Sequence, residues 1–148
     1  MPPEESRYDR GLAKMREMFG PGIDSALEGL AAASPDLARC LVEFPFGDIY
    51  PRPCLDLKTR EMLTVAALTV LGYPQGELKD HIRGALNVGC SRDEILEIIL
   101  QMVVYAGFPA ALEAVKTAAA MFECVTQRTV PYESRKGASH RIGVGEGQ

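Results

Sequence analysis

Tryptophan is absent from this chain and histidine occurs only twice. None of its four cysteines, Cys40, Cys54, Cys90 and Cys124, stands in a Cys-x-x-Cys pair or alternates with histidine at ligand spacing. Zinc-binding modules and dithiol redox motifs need such spacing, so the sequence predicts no metal site and reduced, partly buried thiols. Cationic residues do not dominate either. The formal charge is -4, whereas nonspecific nucleic-acid binding needs a dense basic patch to neutralise phosphates. No contiguous apolar run reaches the roughly 18 residues that cross a bilayer, and the leading Met-Pro-Pro-Glu-Glu-Ser is polar and acidic rather than signal-like. No internal repeat or low-complexity tract stands out. These absences predict a cytoplasmic protein that engages neither nucleic acid nor membrane.

What is present suits one compact domain: 148 residues, 47 % hydrophobic and 24 % charged. Apolar side chains recur at helical spacing, which predicts an all-α bundle of about six to seven helices over residues 1–128. Residues 129–148 lack that periodicity and are expected to form a flexible tail in which His140 is solvated. A first helix is expected from Glu4 to Phe19 and a second from Asp24 to Ala33. Ser34 and Pro35 open a third, with Leu37, Leu41 and Phe44 on its apolar side. Pro45 is expected to bend or end it, and Pro51 and Pro53 to hold the next segment extended, giving a rigid loop that carries Phe46 and Tyr50. Asp56 caps a fourth helix, Leu57 to Leu71, whose polar start through Glu61 reads as a solvated face.

The chain is organised around the stretch from His81 to Ala114. Gly89 suits the left-handed residue that closes one helix, and Ser91 with Glu94 has the capping-box pattern that opens the next. Gly107 and Pro109 mark a second stop and start. Between them Ile95, Leu96, Ile98, Ile99, Leu100, Met102, Val103 and Val104 are apolar nearly all round, which predicts burial within the fold or an oligomer. His81 borders the apolar face of the preceding helix. Glu77, four residues back, shares its side, and a carboxylate one turn from an imidazole can orient the ring.

Taken together, several segments resemble the carboxymuconolactone decarboxylase family. Glu77-Leu78-x-x-His81-Ile82-Arg83-Gly84-Ala85-Leu86, Gly89, Glu94-Ile95 and Val104-Tyr105-Ala106-Gly107-Phe108-Pro109-Ala110-Ala111 are similar to its second half. Glu43-x-x-Phe46-Gly47, Arg52-Pro53-x-Leu55-Asp56 and Thr59-Arg60 are similar to its first. The similarity spans roughly residues 7 to 122, with Phe46 where the family usually has tryptophan. It implies an alkyl hydroperoxidase D-like fold in the branch without the Cys-x-x-Cys-x-x-x-His motif. Glu61 matches, within a residue, the relay acid of the dithiol branch, and without the cysteines it reads as structural.

The resemblance further implies decarboxylation of 4-carboxymuconolactone to the enol-lactone of 3-oxoadipate, in aromatic catabolism, without metal or organic cofactor. Symmetric homo-oligomers, commonly hexamers built as trimers of dimers, are also implied. Catalysis would then fall to His81, oriented by Glu77, with Glu43 reaching the pocket from the third helix or pairing with an arginine. Phe44, Phe46, Tyr50 and the 95–105 helix would form walls. Arg52 would bind a substrate carboxylate by a two-point contact or be a surface residue, and Tyr105 would offer a hydroxyl or be a core tyrosine. Two other readings stand beside this one: a thiol peroxidase or disulfide reductase, and a noncatalytic oligomeric ligand-binding protein.

Overall fold

Helix starts signalled by short polar side chains are the starts the chain uses. The computed structural model describes residues 5–129. Along them run α1 (Arg7–Phe19), α2 (Ile23–Ala33), α3 (Pro35–Leu41), a π-helical segment (Val42–Ile49), α4 (Leu57–Leu71), α5 (Gln75–Asn87) and α6 (Arg92–Thr129), with no strand among the described residues. Helix α1 begins behind Ser6, whose side chain accepts the Asp9 amide, rather than at Glu4. Asp56 accepts the Thr59 amide at 2.7 Å. Ser91 and Glu94 exchange the two bonds of a capping box, at 2.7 and 3.0 Å. The expected tail, with His140, lies outside the described residues from 130 onward.

The segment after α3 departs from expectation. Pro45 neither ends nor breaks the helix; the chain widens into π-helical turns through residue 49. Proline removes one amide donor, which an α-helix must forfeit. Here its own carbonyl accepts the Tyr50 amide at 2.8 Å, five residues on, as a π-turn requires. Leu37 and Phe44, expected on the buried side, are exposed instead, and Ala38 and Val42 are buried.

Two apolar clusters build the core. One joins α4, α5 and α6 through Val65, Leu78, Ile82, Ile95, Ile99 and Ala118. The other joins α1, α2 and the π-segment through Met15, Met18, Leu27, Val42 and Phe46. The inner face of α4 is unusual, because its buried positions Glu61, Val65 and Thr69 include two polar residues. Thr69 satisfies its hydroxyl on the Val65 carbonyl, one turn back.

Helix α6 breaks at Gly107, whose φ of 76° and ψ of 170° lie outside the helical region. That backbone suits glycine, and Pro109 follows where its missing amide falls in the first turn after the break. The all-round burial expected for 95–104 is not met within one chain: Ile95 and Ile99 are buried, but Val104 is 78 % exposed. Taken as a whole helix, residues 92–126 are also long and apolar enough to cross a membrane, with a hydropathy of 1.8 over the most apolar stretch. The count of contiguous apolar residues misses this because isolated polar side chains interrupt the run. One face of the helix nevertheless belongs to the core, at Ile95, Ile99, Ala111, Ala114 and Ala118.

Candidate active site

The two clusters meet where α1, α2 and the π-segment face α5, and there His81 stands. Its Nδ1 lies 2.9 and 3.2 Å from the two carboxylate oxygens of Glu61, reaching across from α4. Glu61 is fully buried, while the His81 side chain is 18 % exposed. A buried carboxylate is costly unless its lone pairs are claimed. Tyr50 claims another by donating its hydroxyl to Oε1 at 3.0 Å. The Thr64 hydroxyl lies 3.1 Å from the same phenol and donates to the Arg60 carbonyl. Burial first, and the Glu61 charge second, push the Tyr50 phenol above its ordinary pKa. It therefore stays a donor across the working range of the protein.

This pairing fixes which imidazole nitrogen is left free. A carboxylate accepts, so Nδ1 carries a proton whether the ring is neutral or charged. Nε2 has no protein partner among the described residues. It is a base in the neutral ring and an acid in the charged one.

Local packing explains the approach. The π-segment sets Phe46 and Tyr50 side by side, their rings 4.9 Å apart. Phe19 stands edge-on to Phe46 at 5.7 Å and edge-on to His81 at 5.4 Å. Gly84, three residues beyond His81 on α5, leaves room for both neighbours. A Cβ there would come 2.8 Å from Phe19 Cε1 and 2.9 Å from Glu61 Oε2. We therefore expect Gly84→Ala to cost about 1–3 kcal/mol through overpacking and to lower turnover by displacing Glu61. Chemical denaturation alongside initial rates checks this.

His81 lines a cavity of about 260 Å³. Its walls are mainly apolar, among them Met15, Phe19, Ile23, Leu27, Leu30 and Phe46, and its polar residues are His81, Glu77, Asp80 and Arg83. Of the residues anticipated from sequence, His81 and Phe46 are at the cavity. Glu77 lines it too but is exposed, and the carboxylate bound to His81 is that of Glu61. The solvated-face reading of Glu61 is thereby corrected: it is held inward because α4 turns it toward α5. Tyr50 supports Glu61 and is not among the lining residues.

The rest fall elsewhere. Glu43 pairs with Arg39 at 2.8 Å and Arg7 at 3.8 Å, on the outer side of the π-segment. Arg52 is exposed and engages through its backbone, its amide donating to the Ile49 carbonyl and its carbonyl accepting from Arg60. Tyr105 is 71 % exposed on α6, and Phe44 is exposed as well. Sequence reasoning missed Glu61 as the partner and gave Arg83 no role beyond its place in the family pattern. For Glu61 a signal existed in its match to the relay acid of dithiol relatives.

The four cysteines are free, Cys40 and Cys54 exposed and Cys90 buried. None lines the cavity. Burial, with Glu94 nearby, raises the Cys90 pKa above that of an ordinary thiol, which makes it a poor nucleophile.

Fold and site together define an all-α protein with a carboxylate-supported imidazole in the wall of a small apolar cavity. Residues 35–120 match the model of the carboxymuconolactone decarboxylase family. The chain is 35 % identical, over 81 % of its length and 90 % of the relative's, to the 4-carboxymuconolactone decarboxylase of Acinetobacter baylyi. It is 30 % identical, over 90 % of its length and 88 % of the relative's, to a nitrosuccinic acid decarboxylase of Metarhizium robertsii. An uncharacterized 15.0 kDa protein of Paracoccus denitrificans is 32 % identical over 74 % of this chain and 83 % of its own. The chain belongs to the carboxymuconolactone decarboxylase family and is a carboxy-lyase.

Proposed function

We propose that the cavity decarboxylates a small lactone or enol acid, with 4-carboxymuconolactone the first candidate, and that His81 Nε2 delivers the proton. The observation that carries this is the commitment of His81 Nδ1 to a buried carboxylate, which leaves Nε2 as the only ring nitrogen available to a ligand. In the reaction the bond to the departing carboxylate breaks and carbon dioxide leaves. The electron pair passes into the ring, conjugated with the lactone carbonyl. A proton from Nε2 then closes the new C–H bond, and solvent returns a proton to the imidazole.

Two needs follow, a donor for the developing oxyanion and an acid for the carbon. His81 can serve either. The apolar walls help by stripping water from the substrate carboxylate, which favours a transition state whose charge is dispersed. No metal or organic cofactor has a step to perform in this scheme. A cytoplasmic role in aromatic catabolism fits such a substrate. The test is incubation of the purified protein with 4-carboxymuconolactone, following carbon dioxide release and loss of lactone absorbance. Nitrosuccinic acid belongs in the same assay, because the substrates named for the two decarboxylase relatives differ in skeleton. Both are dicarboxylic acids, each with a carboxyl group besides the one lost.

The outer face of α6 supports an oligomer in this reading. Leu100 and Val104 on α6 and Leu63, Val70 and Leu71 on α4 are exposed, and large apolar areas left open on a small domain ordinarily mark an interface. Since α4 and α6 pack on one another, a second copy of this chain covers both at once, and the family's hexameric trimer of dimers is the expected form. Sedimentation of the wild type should give a multiple of the 16.1 kDa chain mass. Val104→Asp should shift it toward the monomer, because an unpaired carboxylate cannot be buried cheaply. A detergent-dependent or vesicle-bound wild type would point to a membrane instead.

A further inference from the structure

Arg83 stands in the same cavity wall as His81 and is the lining residue with permanent positive charge. One of its guanidinium nitrogens, Nη2, donates to Asp80 at 2.9 Å. Another, Nε, is buried away from solvent and has no hydrogen-bond partner. A buried N–H without an acceptor bears its full desolvation penalty, so such groups in native proteins call for an explanation. Nε is closed off as the side chain stands, but the Arg83 side chain as a whole is 35 % exposed, so the group can meet a ligand oxygen and turn to satisfy its idle donor. The cavity's other polar residues besides His81 are the carboxylates Glu77 and Asp80, which repel an anionic substrate unless a cation offsets them.

We propose that Arg83 anchors the substrate by the carboxylate that is retained, not the one that departs. A guanidinium bound to the departing group would stabilise the charge that decarboxylation must disperse, and would slow the step. A carboxylate that keeps its charge throughout can be held equally well in ground and transition states. Arg83 therefore favours substrates that keep a carboxylate besides the departing one, and it acts on binding rather than on chemistry. It takes the part that the sequence suggests for Arg52, which lies exposed and away from the cavity. This assignment rests on the decarboxylase reading of the cavity, but its test does not need turnover.

The test is calorimetric titration of the full chain with adipate, an inert dicarboxylate, and with adipamide, its uncharged diamide counterpart. Wild type, Arg83→Gln, Arg83→Lys and His81→Asn are compared, each checked for folding by thermal melting. Adipate should bind the wild type more tightly than adipamide does. Arg83→Gln should weaken adipate by roughly ten- to hundredfold, the worth of a charge-assisted hydrogen bond, and leave adipamide unchanged. Arg83→Lys should recover part of the loss, and His81→Asn should keep adipate binding. With a turned-over dicarboxylate, Arg83→Gln should raise KM by a similar factor at nearly constant kcat. If adipate binding does not differ between wild type and Arg83→Gln, whether because both bind equally or neither binds, the assignment is overturned. A fall in kcat at constant KM overturns it too. Arg83-dependent adipate binding in a protein that releases no carbon dioxide from 4-carboxymuconolactone would keep the anchor and remove the decarboxylation substrate.

Discussion

Replacing His81 by asparagine should abolish most turnover while leaving the fold in place. The asparagine amide can put an N–H close to where Nδ1 stands, so Glu61 keeps a donor, but nothing replaces Nε2. Removing a positioned general acid costs about 10²- to 10⁴-fold in rate, and kcat for 4-carboxymuconolactone should fall by that much. The melting transition should move little. His81→Ala is the harsher contrast. It leaves a fully buried carboxylate with Tyr50 as its remaining side-chain donor, and stripping one partner from a buried pair costs about 3–5 kcal/mol. Its activity loss would be confounded by unfolding, so the asparagine variant is the decisive one. Carbon dioxide release measured beside a circular-dichroism melt separates the two effects. Full activity in a folded His81→Asn protein would assign the proton to another donor.

How far the sequence reveals this site depends on how local each signal is. Caps are local: Asp56, Ser91 and Glu94 act within three residues of themselves, and their bonds form as the pattern predicts. His81 is legible because an imidazole beside an apolar stripe stands out. Its partner is not, because the choice between Glu77 and Glu61 depends on how α4 lies against α5, twenty residues apart in sequence. The same holds for Glu43 and Arg52, whose places are set by the path of the chain beyond Pro45. Proline there predicts a broken helix, and only the five-residue closure from the Tyr50 amide to the Pro45 carbonyl reveals a wider one. Arg83 appears in the sequence only as part of the family pattern, because the cavity beside it is walled by residues far away in the chain.

The exposed side of α6 carries a related lesson. Hydrophobicity all round a helix says that it will be covered, but not by what. Within one chain Ile95 and Ile99 join the core with α4 and α5, while Leu100 and Val104 stay largely exposed. The sequence pattern thus marks more apolar surface than one chain covers.

Glu61→Gln should lower kcat nearly as far as His81→Asn, and the way it does so discriminates between the two roles open to His81. Glutamine preserves volume, and its amide oxygen can still accept the Tyr50 hydroxyl. The amide nitrogen would then face His81 Nδ1 as a donor, which forces the neutral ring to carry its proton on Nε2. The negative charge that supports the imidazolium is lost as well. If Nε2 transfers a proton to the substrate carbon, kcat should fall by about 10²- to 10⁴-fold, the scale on which a mis-set tautomer acts in catalytic triads. If His81 instead only hydrogen-bonds the developing oxyanion, a neutral ring with Nε2–H still does that work, and the loss should stay within about tenfold. Substrate affinity should change little in either case, because Glu61 touches His81 rather than the cavity. Glu77→Gln and Glu43→Gln are the controls: one carboxylate lies exposed on the cavity rim and the other pairs with Arg39 on the far side of the π-segment. Measured kcat and KM for all three variants, with melting curves, decide the matter. A loss as large in Glu77→Gln as in Glu61→Gln would move the partner of His81 back to its own helix.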